Sequence, residues 1–263
     1  MATKKRSTGR QRWDTIWPAI VVAIGVLIIW YFLAKAGILP RYILPSPDLI
    51  AGEAADNWQS LLRNGWVTLV EAAAGFAWGL IAAVIVALIL DSWRFLERGI
   101  SPFLIIGLNI PIVAFAPAVI IQFGFGMASK IVVAGVLTFF PVVIYTLKGL
   151  KAADRREVDL FSVLSANRFQ ELMKLRVPSS LPFFFAALRV ASAASVIAAV
   201  VAEFIQASAG IGYVILTAAY TNNTRMIWAA VAVSAAIALI FYGIVTFLER
   251  RLIPWHASVD TGR

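Results

Sequence analysis

An all-α, polytopic membrane bundle of about six transmembrane helices is the fold class this sequence predicts, and three observations predict it. Hydrophobic residues make up 61% of the 263 positions, and charged residues only 14%, well under the quarter typical of soluble domains. Runs of roughly 20 apolar residues, the length that crosses a bilayer as a helix, recur along the chain. The runs are continuous rather than alternating, which favours helices over a barrel as the way to satisfy the backbone in lipid. The net charge of +9 is read as membrane-loop charge and not as a nucleic-acid surface. The chain has no cysteine, so disulfides, thiolate metal sites and cysteine nucleophiles are excluded.

The expected spans are about 17–36, 66–90, 102–123, 131–148, 182–205 and 228–248. They form one transmembrane domain over 17–253, between a basic tail at 1–16 and a tail at 254–263. The tail KKRSTGRQR followed by an apolar run, with Ala34-Lys35-Ala36 behind it, also fits a cleaved signal peptide, but Ile16 to Leu33 exceeds the usual length of such a core. With the N-terminus inside, seventeen basic residues fall on the inner side. Four fall outside: Arg41, Arg63, Lys130 and Arg225. Lys35 and Arg189 lie near span ends and are not counted. This asymmetry puts both termini in the cytoplasm. Between the first two spans, ILPRYILPSPDLI breaks the helix, and DLIAGEAADNWQSLL reads as a short helix on the outer surface. Trp13, Trp17, Trp66, Trp228 and Trp255 fall near span ends, where tryptophan anchors at the interface.

The third span contains GLNIPIVAFAPAVIIQFGFG. Pro111 and Pro117 each remove an amide donor, and Asn109 and Gln122 are costly in lipid, so both are expected to face the interior. A broken, polar-flecked helix suits a transport path, and a merely kinked structural helix is the other reading. In the fifth span, Ala187, Ala191, Ser195 and Ala199 recur at helical spacing, as do Ala194, Ala198 and Ala202. Small faces permit close helix packing; Ser192 and Ser195 are candidates to line a path beside it. Glu71, Asp91 and Glu203 fall near span ends, where water is expected to reach them. Glu203 is the best handle for an alternative function, an ion-coupled secondary carrier. The chain has no Walker-type phosphate loop, and its single histidine, His256, reads as a surface residue. The sequence therefore predicts a non-enzyme with no cofactor of its own.

The segment about 149–181 is polar and basic between two apolar runs. Val158, Leu160, Phe161 and Leu164 form one apolar stripe, and Phe169, Leu172 and Met173 another. Ser165-Ala166-Asn167 offers helix caps between them. Pro178 is expected to end the second helix, and Pro182 to open the next span. Two short amphipathic helices at a turn form either a lipid-surface pair or a docking surface for another protein.

At this point the chain resembles the permease subunits of bacterial ATP-binding-cassette importers. Their cytoplasmic loop carries E-A-A, three residues, G, nine residues, I-x-L-P. Here E-A-A falls on Asp159-Leu160-Phe161, the glycine on Ser165, and I-x-L-P on Leu175-Arg176-Val177-Pro178. The acid survives as aspartate, the small residues are replaced, and Phe161 stands as a bulkier knob. Ala166, Asn167 and Arg168 complete the expected coupling segment. Further, NIPIVAFAPAVIIQFGFGMASK, TFFPVVIYTLKGL and VVAEFIQASAGIGYVI are similar to the nitrate, sulfonate and taurine permease group over roughly 40–250. The closing ERRLIPWH is similar to permeases for riboflavin and thiamine-pyrimidine precursors. The resemblance implies the type I importer architecture, a bacterial inner-membrane location, and a second permease copy or a paired relative. It also implies ATPase subunits holding ATP and magnesium, and an external solute-binding protein. It further implies a path for a small polar solute past Asn109, Gln122, Ser192, Ser195 and Glu203.

Overall fold

A computed structural model describes residues 8–37, 40 and 43–253. The expectations for the first seven residues of the basic tail, for Arg41, and for Trp255 and His256 lie outside the described residues. Among the described residues, eleven α-helices and one π turn follow in order. They are α1 (Thr8–Lys35), α2 (Pro47–Asp56), α3 (Trp58–Ser92), α4 (Arg94–Leu108), α5 (Ile112–Phe123), α6 (Met127–Leu150), α7 (Arg155–Val163), α8 (Arg168–Glu171), the π turn (Leu172–Arg176), α9 (Val177–Gln206), α10 (Ile211–Tyr220) and α11 (Thr224–Leu252).

Among the described residues four helical rods are long and apolar enough to cross a bilayer: α3, α6, α8 through α9, and α11. A fifth crossing is the pair α4 and α5, if the two are taken together. The third span is therefore not one kinked helix over 102–123: its two halves meet at 101°. Asn109 caps α4 and Pro111 precedes α5, so the break falls where proline withholds its amide and disfavours helix in the residue before it. The apolar part of α1, Ile20–Lys35, is shorter than a full crossing.

Packing in lipid gains nothing from hydrophobic transfer, so close approach of backbones must supply it. The α3–α6 seam does this with glycine. A Cβ on Gly79 would stand 2.3 Å from the Gly135 carbonyl oxygen, and one on Gly75 would stand 2.5 Å from the Ala134 Cβ. The Trp78 indole covers Gly135 and donates from Nε1 to Ile131 O at 3.0 Å. On α9, Ala187, Ala191, Ala198, Ala199 and Ala202 are wholly buried, which makes the small-residue faces of the sequence packing surfaces. Larger side chains fill the other end of the bundle, where Phe76 meets Phe241 edge-on at 4.9 Å among Leu90, Val142, Val143, Leu188 and Val245. An ion pair of 2.8 Å from Arg189 to the buried Glu249 ties α9 to α11.

The segment between α1 and α3 folds as α2 and then joins α3, which starts at Trp58 rather than near 66. Lys35 reaches Asp48 at 3.1 Å. Hydrogen bonding from Ser46, and then from Lys35, holds the Asp48 carboxyl below the usual carboxylate range. Gly79→Ala must push the α3 and α6 backbones apart. It is expected to destabilise the bundle by about 1–3 kcal/mol, read as a lower Tm of the purified chain in detergent.

Candidate functional site

The polar segment after α6 is built from local signals. Asp154 caps α7, its side chain accepting from the Arg156 amide. The helix ends in a reciprocal C-terminal motif: the Ala166 amide donates to Phe161 O and the Ser165 amide to Ser162 O. That motif needs a left-handed residue, and Ser165 supplies it at φ +54°. This is the position where the resembled loop carries glycine, and serine takes the conformation at a steric cost. Asn167 then caps α8 in a full capping box with Gln170.

No residue of α7 is buried. Leu160, Val163 and Leu164 are exposed, Phe161 is half-buried, and Asp159 faces solvent. The helix thus presents an apolar stripe with nothing over it. Its neighbour is firmly anchored. Arg176 in the π turn pairs with Glu171 at 2.7 Å and with Asp91, at the end of α3, at 3.4 Å. Lys151 pairs with Glu97 at the start of α4. Asp91, expected to be water-exposed, is largely covered, its side chain 8% exposed.

Pro178 does not end a helix, as the sequence had suggested. The chain runs as one rod from Arg168 to Ile205, through both Pro178 and Pro182. In the π turn the Val177 amide donates to Leu172 O, five residues back. The wider turn relieves the clash that proline creates in an α-helix and absorbs its missing donor.

The candidate path residues divide. Asn109 and Gln122, expected to face the interior, are exposed on the single chain, and Asn109 Nδ2 donates to Ile105 O of its own helix at 2.7 Å. Ser192 and Ser195 are wholly buried, and their hydroxyls donate to Arg189 O and Ser192 O within α9. Glu203 is buried too, not reached by water as expected, and so is Glu71.

Glu203 belongs to a site that the sequence reading missed. After α9 the chain turns at Gly210, φ +112°, into α10, a helix absent from the expected spans. The first amides of α10 are capped by other helices. Asn64 Oδ1 accepts from Gly210 N at 2.9 Å, Thr68 Oγ1 from Ile211 N at 2.8 Å, and Glu203 Oε2 from Gly212 N at 2.6 Å. The Thr68 hydroxyl lies 2.7 Å from Glu203 Oε1 and 3.2 Å from Asn64 O, and donates over the shorter distance to Glu203. A Cβ at Gly210 would lie 2.2 Å from Glu203 Cδ, so only glycine admits the carboxylate here. Lys130, counted from the sequence as an outer-loop cation, is buried with its Nζ 3.7 Å from Glu71 Oε1. The only sequence signal for this site was three ionisable residues inside or beside apolar runs. Among the described residues no three metal-ligating side chains gather.

The architecture is a helical membrane bundle with one sharply bent helix pair beside an uncovered amphipathic helix. Residues 75–254 match the family described as "Binding-protein-dependent transport system inner membrane component", and the chain belongs to that family. A probable ABC transporter permease protein of Haemophilus influenzae is 33% identical over 90% of this chain and 96% of its own length. The riboflavin transport system permease protein of Chloroflexus aurantiacus is 35% identical, covering 92% of each chain. The taurine transport system permease protein of Escherichia coli is 27% identical over 99% of each. A chain of the inward-facing MetNI methionine ABC transporter shares the fold, with a TM-score of 0.62 over 75% of this chain and 96% of that one, at 17% identity.

Ser165→Gly removes the left-handed penalty. It is expected to stabilise the α7–α8 turn by about 0.5–1 kcal/mol after the entropy glycine adds to the unfolded chain, measured as slower hydrogen exchange at the Ala166 amide. In the naturally cysteine-free chain, Asn109→Cys and Gln122→Cys are expected to react with a thiol reagent in detergent at least tenfold faster than Ser195→Cys.

Proposed function

We propose that this chain is the permease subunit of an ATP-driven bacterial importer. In this reading two copies, or this chain and a relative, enclose the path in the inner membrane. ATPase subunits holding ATP and magnesium dock on the cytoplasmic side, and an external binding protein delivers a small polar solute. Both termini are cytoplasmic, which puts α7 on the side where ATP is. The solute belongs to the range carried in the relatives' names: aliphatic sulfonates, taurine, riboflavin or formylaminopyrimidine.

The observation that carries this reading is α7. It is an amphipathic helix none of whose residues is buried, set at the position of the importer coupling loop. It ends on a left-handed residue where that loop has glycine. Its neighbour is braced to α3 through Arg176 and Asp91, so a force applied at α7 reaches the bundle. An ATPase that changes shape can drive a membrane equilibrium only if its contacts differ between the two membrane states. The ion-coupled alternative finds no support. The Glu203 carboxylate is occupied by Thr68 and Gly212, inside a wall of the chain.

The test is co-purification with the ATPase encoded in the same host. Asp159→Lys and Phe161→Asp are expected to reduce the ATPase retained at least tenfold, with the permease still inserted. Undiminished retention by both variants refutes the assignment of α7.

A further inference from the structure

The sequence of α10, IGYVILTAAY, is largely apolar, yet Tyr213 and Thr217 stand one turn apart and Thr221 follows one turn later, so the three share a helix face. That face borders a cavity of about 270 Å³. Ser60 and Asn64, one turn apart on α3, form a second wall, and Asn223 and Met226, at the start of α11, form a third. Val214 and Ala218, two of the buried residues of α10, floor it. The cavity thus lies at the opposite end of α3 from the Asp91–Arg176 pair.

These walls hold hydrogen-bonding capacity that the fold leaves unused. Among the described residues nothing takes the Tyr213 hydroxyl, and the Ser60 proton has no acceptor, although Ser60 Oγ receives Asn64 Nδ2 at 3.4 Å. Thr217 and Thr221 donate their protons to the Tyr213 and Thr217 carbonyls, so their own oxygens can only accept. The site therefore offers donors and acceptors together. None of its lining side chains carries a charge. Arg63 and Arg225, the cations next to it in sequence, are exposed and outside the lining. Behind the wall stands a carboxylate instead, Glu53, whose Oε1 accepts from Asn223 Nδ2 at 3.0 Å. An anion placed here would lose water without gaining a cation, whereas an uncharged molecule bears no such penalty.

We propose that this cavity binds a small uncharged ring that carries N–H donors and C=O acceptors side by side, as a cyclic amide does. Thr217 and Thr221 accept from the ring N–H groups, the Ser60 and Tyr213 hydroxyls donate to its carbonyls, and Val214, Ala218 and Met226 cover its apolar face. Pockets for drug-sized ligands hold roughly 300–1,000 Å³, so a single ring suits this smaller space. The site rests on the transport reading and deepens it. It lies at the end of the bundle away from α7, where an imported solute arrives, and it narrows that solute to an uncharged ring. Asn64 also accepts from Gly210 N at 2.9 Å, so the ligand rests against a residue that seats α10.

The test is equilibrium binding of uracil, a neutral cyclic amide, to the full chain purified in detergent, read by saturation-transfer NMR with methanesulfonate as competitor. The wild type is expected to bind uracil saturably, and methanesulfonate is expected not to displace it. Tyr213→Phe and Thr217→Val each remove one hydrogen bond and should raise Kd about fivefold. Tyr220, 79% exposed and outside the lining, is the control, and Tyr220→Phe should bind as the wild type does. Absence of saturable uracil binding by the wild type overturns the proposal. Displacement by methanesulfonate assigns the site to an anion and overturns it too, and both readouts stand whether or not a variant folds. Undiminished binding by Tyr213→Phe and Thr217→Val overturns it, as does equal weakening by Tyr220→Phe. Binding needs no ATPase, so a failed co-purification refutes the assignment of α7 and leaves this measurement intact.

Discussion

Lipid offers no hydrogen bonds, so each interruption of a spanning helix must find partners inside the protein. Among the described residues, three such interruptions find different partners. At Asn109–Pro111 the side chain of Asn109 returns to Ile105 O, and proline has no amide to satisfy. Before Pro178 the helix widens into a π turn and keeps its own bonds. At Gly210 the chain reverses, and the freed amides of α10 are taken by Asn64, Thr68 and Glu203 from two other helices. The third solution costs most, since it brings a carboxylate into the wall. Glu71 and Lys130 sit beside it, and the electrostatics of the bundle's interior follow from that choice.

How much of this was legible in the sequence depends on the range of the interaction. Apolar run length identified the long helices, and local capping chemistry identified the turn at 165–167. Both depend on neighbours in the chain. The small-residue faces of α9 were readable for the same reason, as helical periodicity places them. Glu203 was visible as an anomaly but misplaced. Distance from a span end predicts water, whereas Thr68 and Gly212 approach it from 135 and 9 residues away. Lys130 was miscounted likewise, because a cation near a helix start reads as a loop charge unless its buried carboxylate is known. Pro178 misled because a proline rule assumes an α-helix, and the π turn changes the geometry to which the rule applies. Asn109 was read from its cost in lipid alone, and its own helix also offers it a carbonyl, Ile105 O.

The two ends of the bundle are held by different chemistry. Near α7 the links are ion pairs among Asp91, Arg176, Glu171, Lys151 and Glu97, partly open to water. Near α10 they are short hydrogen bonds in a dry wall. Exposed ion pairs are weak and exchange partners easily, whereas buried, satisfied networks are rigid.

The rod from Arg168 to Ile205 is 38 residues long, about 57 Å at helical rise. One end carries the capped turn that follows α7, and the other carries the carboxylate that seats α10. Mechanically this is a lever, with its elbow at the π turn and its brace at Arg176. No loop interrupts the rod between the turn at its start and Glu203 near its end, so a tilt imposed at one end would appear at the other.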